Sequence, residues 1–311
     1  MIKKISYKLI KSYRRKYIPD TGIREDGLPI SDIEYASNII RDLLLSEKPC
    51  MVSRFGDVEM NAVINYRKGH PLSFLRTILP FWVGDYTKKR MTTNAGFFPN
   101  DNIHLAKFAD LIIDIAPQID VLGSWLRQET YIPQLKNCRF IQLKYIEPFW
   151  SDNPWSSVLE GKRILIIHPF EESIRNQYER REKLFEKKNI LPKFESLHII
   201  KAVQSIGGVK NGFHNWFEAL DYMKREVDNI EFDIALIGCG AYGMPLAAHC
   251  KDIGKKAIHL GGALQLLFGI RGSRWEDNSY EQKNLMNDYW VRPLPSERPV
   301  EANDVENACY W

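Results

Sequence analysis

Two hydrophobic periods alternate along the chain. In residues 31–47, Ile33, Ala36, Ile39, Ile40, Leu43 and Leu44 recur at three-to-four spacing, which predicts a helix with one buried face. Ser31 followed by Glu34 three positions on predicts the capping box that starts it. The apolar run 50–55 predicts a strand ending in Gly56–Asp57, and 58–66 a second helix. Further helices are predicted over 105–116, 171–188, 216–227 and 244–253. Strands are predicted over 119–125, 140–146, 163–167, 197–203, 232–237 and 256–260. The run 232–237 is apolar throughout, as a parallel strand covered on both faces must be. Such alternation of strand and helix predicts an α/β fold, three layers deep, around a mostly parallel sheet.

Residues 69–102 break the pattern. They are rich in Pro, Gly, Asn and aromatics, and are expected to form a long loop serving a site. After Trp290 the chain is rich in Pro and charge, and loose packing is expected there. The chain therefore divides into an arm (1–24), one domain (25–290) and a tail (291–311).

The chain has 311 residues, 44% hydrophobic and 26% charged, the balance of a globular protein with a substantial core. A formal charge of +4 gives no ground for nucleic-acid binding. Its distribution says more. Lys3, Lys4, Lys8, Lys11, Arg14, Arg15 and Lys16 stand in a segment 1–19 without acids, interleaved with apolar residues. That arm suits an anionic membrane surface; a solvated arm or a docked helix fits the same residues. Five scattered cysteines, without C-x-x-C spacing, argue against a zinc site or a disulfide framework and for a reducing compartment. No secretory apolar region and no membrane-length run is present. A cytoplasmic location is expected, with peripheral attachment to the inner face of the membrane as the arm's alternative.

The segment Ser53–Arg54–Phe55–Gly56–Asp57–Val58–Glu59 carries the most chemistry. A strand delivers it to the carboxyl edge of the sheet, where α/β proteins bind ligands. Asp57 and Glu59 are two apart, so a turn can aim both carboxylates at one hard cation, Mn²⁺ or Mg²⁺, whose remaining ligands are phosphates and water. Arg54 adds fixed positive charge. The alternative is structural: Asp57 caps the following helix, Glu59 sits in its first turn, and Arg54 pairs with one of them.

This segment resembles the R-F-G-D-G-E motif of the GT-D-fold glycosyltransferases, once grouped as a domain of unknown function. The block 232–275 is also similar to proteins of bacterial surface-polysaccharide clusters. The resemblance implies a Rossmann-like transferase with D-x-E in place of D-x-D. It further implies a nucleotide-sugar donor, a UDP-hexose, a divalent metal, and a growing glycan or lipid-linked acceptor. Carried over by position, Asp57 and Glu59 become the metal and diphosphate ligands, and Ser53, Arg54, Phe55 and Gly56 their neighbours. The sequence departs from the motif at Val58, where the family commonly has Gly.

Gly238–Cys239–Gly240–Ala241–Tyr242–Gly243 matches G-x-G-x-x-G between a predicted strand and helix, the context of a phosphate cradle. A tight packing turn is the plainer use of such glycines. The next strand ends in Gly261–Gly262 with no acid, which disfavours NAD. Gln265 is expected to face the same crevice, with Arg271 and Arg274 holding phosphate or stacking on a ring; surface ion pairing is the alternative. His168, at a strand end, is a candidate general base or substrate ligand. Glu147, Asp85, Asn94 and Asn100 are weaker candidates. Besides the transferase, the sequence leaves open a cofactor-binding methyltransferase or reductase, and a non-catalytic membrane-surface module.

Overall fold

The computed structural model describes residues 32–69, 84–208 and 211–311. The basic arm, the Ser31 cap and part of the expected long loop fall outside these residues. Seven strands form one wholly parallel sheet: β1 (Cys50–Ser53), β2 (Val121–Ser124), β3 (Arg139–Gln142), β4 (Arg163–His168), β5 (Ser196–Lys201), β6 (Ile234–Ile237) and β7 (Lys256–His259). Their order is β3-β2-β1-β7-β6-β4-β5. The longer helices are α1 (Ile33–Leu45), α2 (Asp57–Gly69), α3 (Asp85–Thr93), α4 (Asn102–Ile115), α5 (Glu171–Glu179), α6 (Trp216–Asp228) and α7 (Gly243–Asp252), followed by single turns α8 (Leu264–Leu267) and α9 (Ser273–Glu276).

Strand side chains alternate between two cores, as a period of two requires. Met51, Leu165, Ala235 and Ile237 join one core with α2, α4, α6 and α7. Val52, Ile164, Ile166, Leu236 and Ile258 join the other with α1, α5 and α8. The result is a three-layer α/β/α, Rossmann-like sandwich. Because every strand runs the same way, all seven carboxyl ends share one edge. Among the described residues, no helix is long and apolar enough to cross a membrane.

Several expectations need correction. Asp32 rather than Ser31 caps α1, accepting the Tyr35 N–H at 3.0 Å. Glu34 closes no capping box; it accepts from Ser151 Oγ and the Asp152 and Asn153 N–H groups, tying α1 to that loop. Within 69–102 lies the helix α3, whose pattern is weak because Met91 is its only buried residue. The strand expected over 140–146 stops at Gln142; a 3₁₀ turn then lays Ile146 over Gly123. The helix expected over 171–188 ends at Glu179, and a tighter turn re-aims Leu184 and Phe185 into the core.

The tail is not loose. Trp290, Ala302, Val305, Ala308 and Trp311 are buried in the second core. Glu297, also buried, accepts from the Glu172 and Ser173 N–H groups and from Ser173 Oγ, capping α5 from outside its own helix.

Candidate active site

At the carboxyl edge, the turns after β1, β2, β4, β5, β6 and β7, the end of α3 and the tail surround a cleft of about 210 Å³, too large to be a packing defect. The edge lies where the strand order reverses. The chain builds outward from β1 to β3, then restarts at β4 and works back to β7 beside β1.

Asp57 and Glu59 occupy the first turn of α2, and both line the cleft. Asp57 is already engaged: Oδ2 accepts from Arg90 Nη1 at 2.9 Å, and Oδ1 from Asn61 Nδ2 at 2.9 Å. Glu59 folds back across Gly56 so closely that a Cβ there would stand 1.9 Å from its Oε2. Burial pushes the Glu59 carboxyl above its ordinary range, against the pull of its own N–H and of Arg54. Burial likewise lowers the Arg54 guanidinium, against the pull of Glu59. Each group therefore gains less from the other than it loses with its water.

Arg54 is held rigidly. Its Nε and Nη2 donate to the Phe55 carbonyl, and its guanidinium lies 5.3 Å from the centre of the Trp125 ring. Trp125, 46% exposed in the cleft wall, donates its indole N–H to the same carbonyl at 2.9 Å. The fully buried Glu129 fixes that turn by accepting from Ser124 Oγ and the Trp125 and Leu126 N–H groups.

Two histidines end β4 and β7, on either side of β6, and both line the cleft. His168 Nδ1 accepts the Phe170 N–H at 3.0 Å, so its ring proton sits on Nε2. Burial lowers its pKa to about 3. With Nδ1 taken, its Nε2–H is left to donate a hydrogen bond. His259 Nδ1 pairs with Ser53 Oγ at 3.1 Å, and burial, then Arg54, lower its pKa to about 3.

The other expected residues divide. Gly238, Gly240, Tyr242, Gly262, Gln265, Arg274 and Asn94 line the cleft. Phe55 is buried behind the cleft wall and contributes its carbonyl. Ser53 is fully buried and serves through His259. Gly243 packs against His259, with a would-be Cβ 2.3 Å from Nε2. Gln265 Nε2 is spent on the Ile270 and Tyr310 carbonyls. Arg271 lies outside the lining, 3.7 Å from Glu276, so ion pairing describes it better than phosphate binding. Glu147 accepts from Trp150 and Gln282 away from the cleft, Asn100 bonds Thr92, and Asp85 sits in the exposed first turn of α3.

Sequence reasoning missed Arg90, Trp125, His259, Glu306, Tyr310 and Trp311, all in the lining. Trp125 and His259 were accessible to it, since each ends or directly follows a strand. Arg90 lies in the patternless stretch, and the last three in the tail.

The fold and cleft define an α/β protein with a cleft at the carboxyl edge of its parallel sheet. No protein-family model matches the chain, and no curated protein matches it. Among solved structures it is similar to a selenomethionine-substituted domain of unknown function 1792, 14% identical over 76% of this chain and 77% of that one, with a TM-score of 0.37.

Proposed function

We propose that the chain is a metal-dependent glycosyltransferase that moves a hexose from a UDP-sugar to a growing surface glycan or a lipid-linked acceptor. The observation that carries this reading is the convergence of Arg54, Asp57 and Glu59 from one turn into one cleft.

The donor set fits a hard divalent cation bound together with its substrate. Asp57 and Glu59 offer carboxylate oxygens, and each Asp57 oxygen keeps a lone pair beyond its present partner. No cluster of three or more His, Cys, Asp or Glu able to hold a metal occurs among the described residues. Held by the Asp57 and Glu59 carboxylates, Mg²⁺ or Mn²⁺ would complete its shell from phosphates and water. The opposed shifts of Glu59 and Arg54 support a ligand of mixed charge, since a cation relieves the first and a phosphate the second.

Bound there, the ion would neutralise charge developing on the departing diphosphate. Arg54, fixed by the Phe55 carbonyl, would meet the same charge without reorganising. His168 would donate from Nε2 to a donor oxygen. Trp125 would offer a ring face at the cleft wall to a sugar or base. The R-F-G-D-V-E segment supports the donor class, and the basic arm an acceptor at an anionic membrane.

The test is a thermal-shift panel of nucleotide sugars with and without Mn²⁺, followed by an assay of UDP release. Mn²⁺-dependent stabilisation by one UDP-sugar is expected, with turnover lost in Asp57→Ala and Glu59→Ala. UDP-sugar binding that ignores both metal and these substitutions would overturn the proposal.

A further inference from the structure

The tail places an acid inside the cleft. Glu306 Oε2 pairs with Arg274 Nη2, and its Oε1 accepts from Asn94 Nδ2 at 2.9 Å. Arg274 comes from α9 and Asn94 from the end of α3, so one carboxylate bridges two walls. Arg274 is otherwise fastened by its Nη1 to the Tyr310 hydroxyl at 3.2 Å, with its guanidinium 4.8 Å from the Tyr310 ring centre. The turn delivering Glu306 is unusual. Glu306, Asn307 and Ala308 have φ of 47, 58 and 58°, three successive non-glycine residues in left-handed backbone. Each is disfavoured by its own Cβ. The turn is held by the Ser273 hydroxyl on the Ala308 carbonyl and the Arg274 N–H on the Cys309 carbonyl.

We infer that Arg274 and Asn94 form an anion subsite for the diphosphate of the ligand, and that the Glu306 carboxylate occupies it as a displaceable placeholder. This rests on the nucleotide-sugar reading for the ligand's identity. Three observations lead to it. The partners Glu306 holds are a guanidinium and an amide N–H, the donors a phosphate oxygen uses. Its position is in the lining, with Arg54 in the same cleft. Its side chain is 44% exposed, so the carboxylate can swing out to water while the turn stays in place. Arg274 Nη2 is paired with Glu306 and Nη1 with Tyr310, so a phosphate that takes the place of the carboxylate keeps a charge-assisted pair at Nη2.

The experiment titrates inorganic pyrophosphate, and separately UDP with Mn²⁺, into the full chain by calorimetry. Glu306→Gln keeps the shape and removes the competing charge; about tenfold tighter pyrophosphate binding is expected. Glu306→Asp, one methylene shorter, should fall between this variant and wild type. Arg274→Gln should weaken binding about tenfold, and adding Glu306→Gln to it should gain much less than the roughly tenfold seen in the wild-type background, since only Asn94 is left to be released. Thermal midpoints without ligand establish that each variant is folded. Unchanged or weaker binding by folded Glu306→Gln and Glu306→Asp overturns the inference, as does a full gain of about tenfold when Glu306→Gln is added to Arg274→Gln. If pyrophosphate follows the expected pattern while UDP with Mn²⁺ binds nowhere, the subsite stands and the nucleotide-sugar reading falls.

Discussion

Gly56→Ala isolates the placement of one carboxylate. Gly56 is not among the positive-φ glycines, so its backbone accepts alanine. The new Cβ would stand 1.9 Å from Glu59 Oε2 and 2.4 Å from Cδ. Ordinary contact begins at 3.4 Å, so the Glu59 carboxylate must retreat by about 1.5 Å. That carboxylate ends a flexible side chain and can swing aside, so stability should change by no more than about 1 kcal/mol. Catalysis should not be so tolerant. A displacement near 1 Å in a catalytic group commonly costs about a hundredfold in rate. The expected result is a normally folded protein, by near-UV circular dichroism and thermal midpoint, whose Mn²⁺-dependent UDP release falls about a hundredfold. Glu59→Gln supplies the comparison, because it leaves a side chain in place and removes the charge. If Gly56→Ala turns over within about twofold of wild type at the same Mn²⁺ requirement, the position of Glu59 does not matter and the reasoning fails.

Gly243→Ala should behave oppositely: its Cβ would lie 2.3 Å from the buried His259 ring, which must give up its bond to Ser53 to move, so a loss of about 1–3 kcal/mol is expected in chemical denaturation. Glu297→Ala removes the acceptor of two N–H groups and one hydroxyl at the start of α5, and should lower stability by about 2 kcal/mol in the same assay. Acid should destabilise the fold early. His168 and His259 are neutral in the folded state with pKa of about 3, against 6.5 unfolded, so the unfolded chain takes up protons first as pH falls. Their contribution is intact above about 6.5 and is lost progressively toward 3, at up to about 1.4 kcal/mol per pH unit for each ring. Denaturation midpoints between pH 7 and 4.5 measure this slope; His168→Asn should flatten it, and an unchanged slope would refute the assignment.

The sheet was legible because its strands are short apolar runs between punctuating turns: the expected runs 50–55, 163–167, 232–237 and 256–260 fall on β1, β4, β6 and β7 with ends shifted by one or two residues. The Asp57 turn was legible for the same reason, since it follows such a run. What pattern could not supply was the partner set. Arg90 reaches Asp57 from a helix with one buried residue, which leaves almost no periodic trace. The tail reads as charged and proline-rich, yet its apolar residues Trp290, Ala302, Val305 and Trp311 are spaced for 3₁₀ turns and not for helix or strand, so their burial has no signature. Phosphate cradle and packing turn share the same glycines, and only the position of His259 distinguishes them at Gly243.

The pairing of β1 with β7 sets Cys50 against Lys256 and Val52 against Ile258. Contacts so remote along the chain must await closure of a very large loop, which slows the search for the native topology. The cleft draws on the turns after both strands, so no short contiguous fragment can hold a working pocket. Ligand binding should therefore appear late in refolding, after most helical signal has returned, and should vanish as a single event on unfolding.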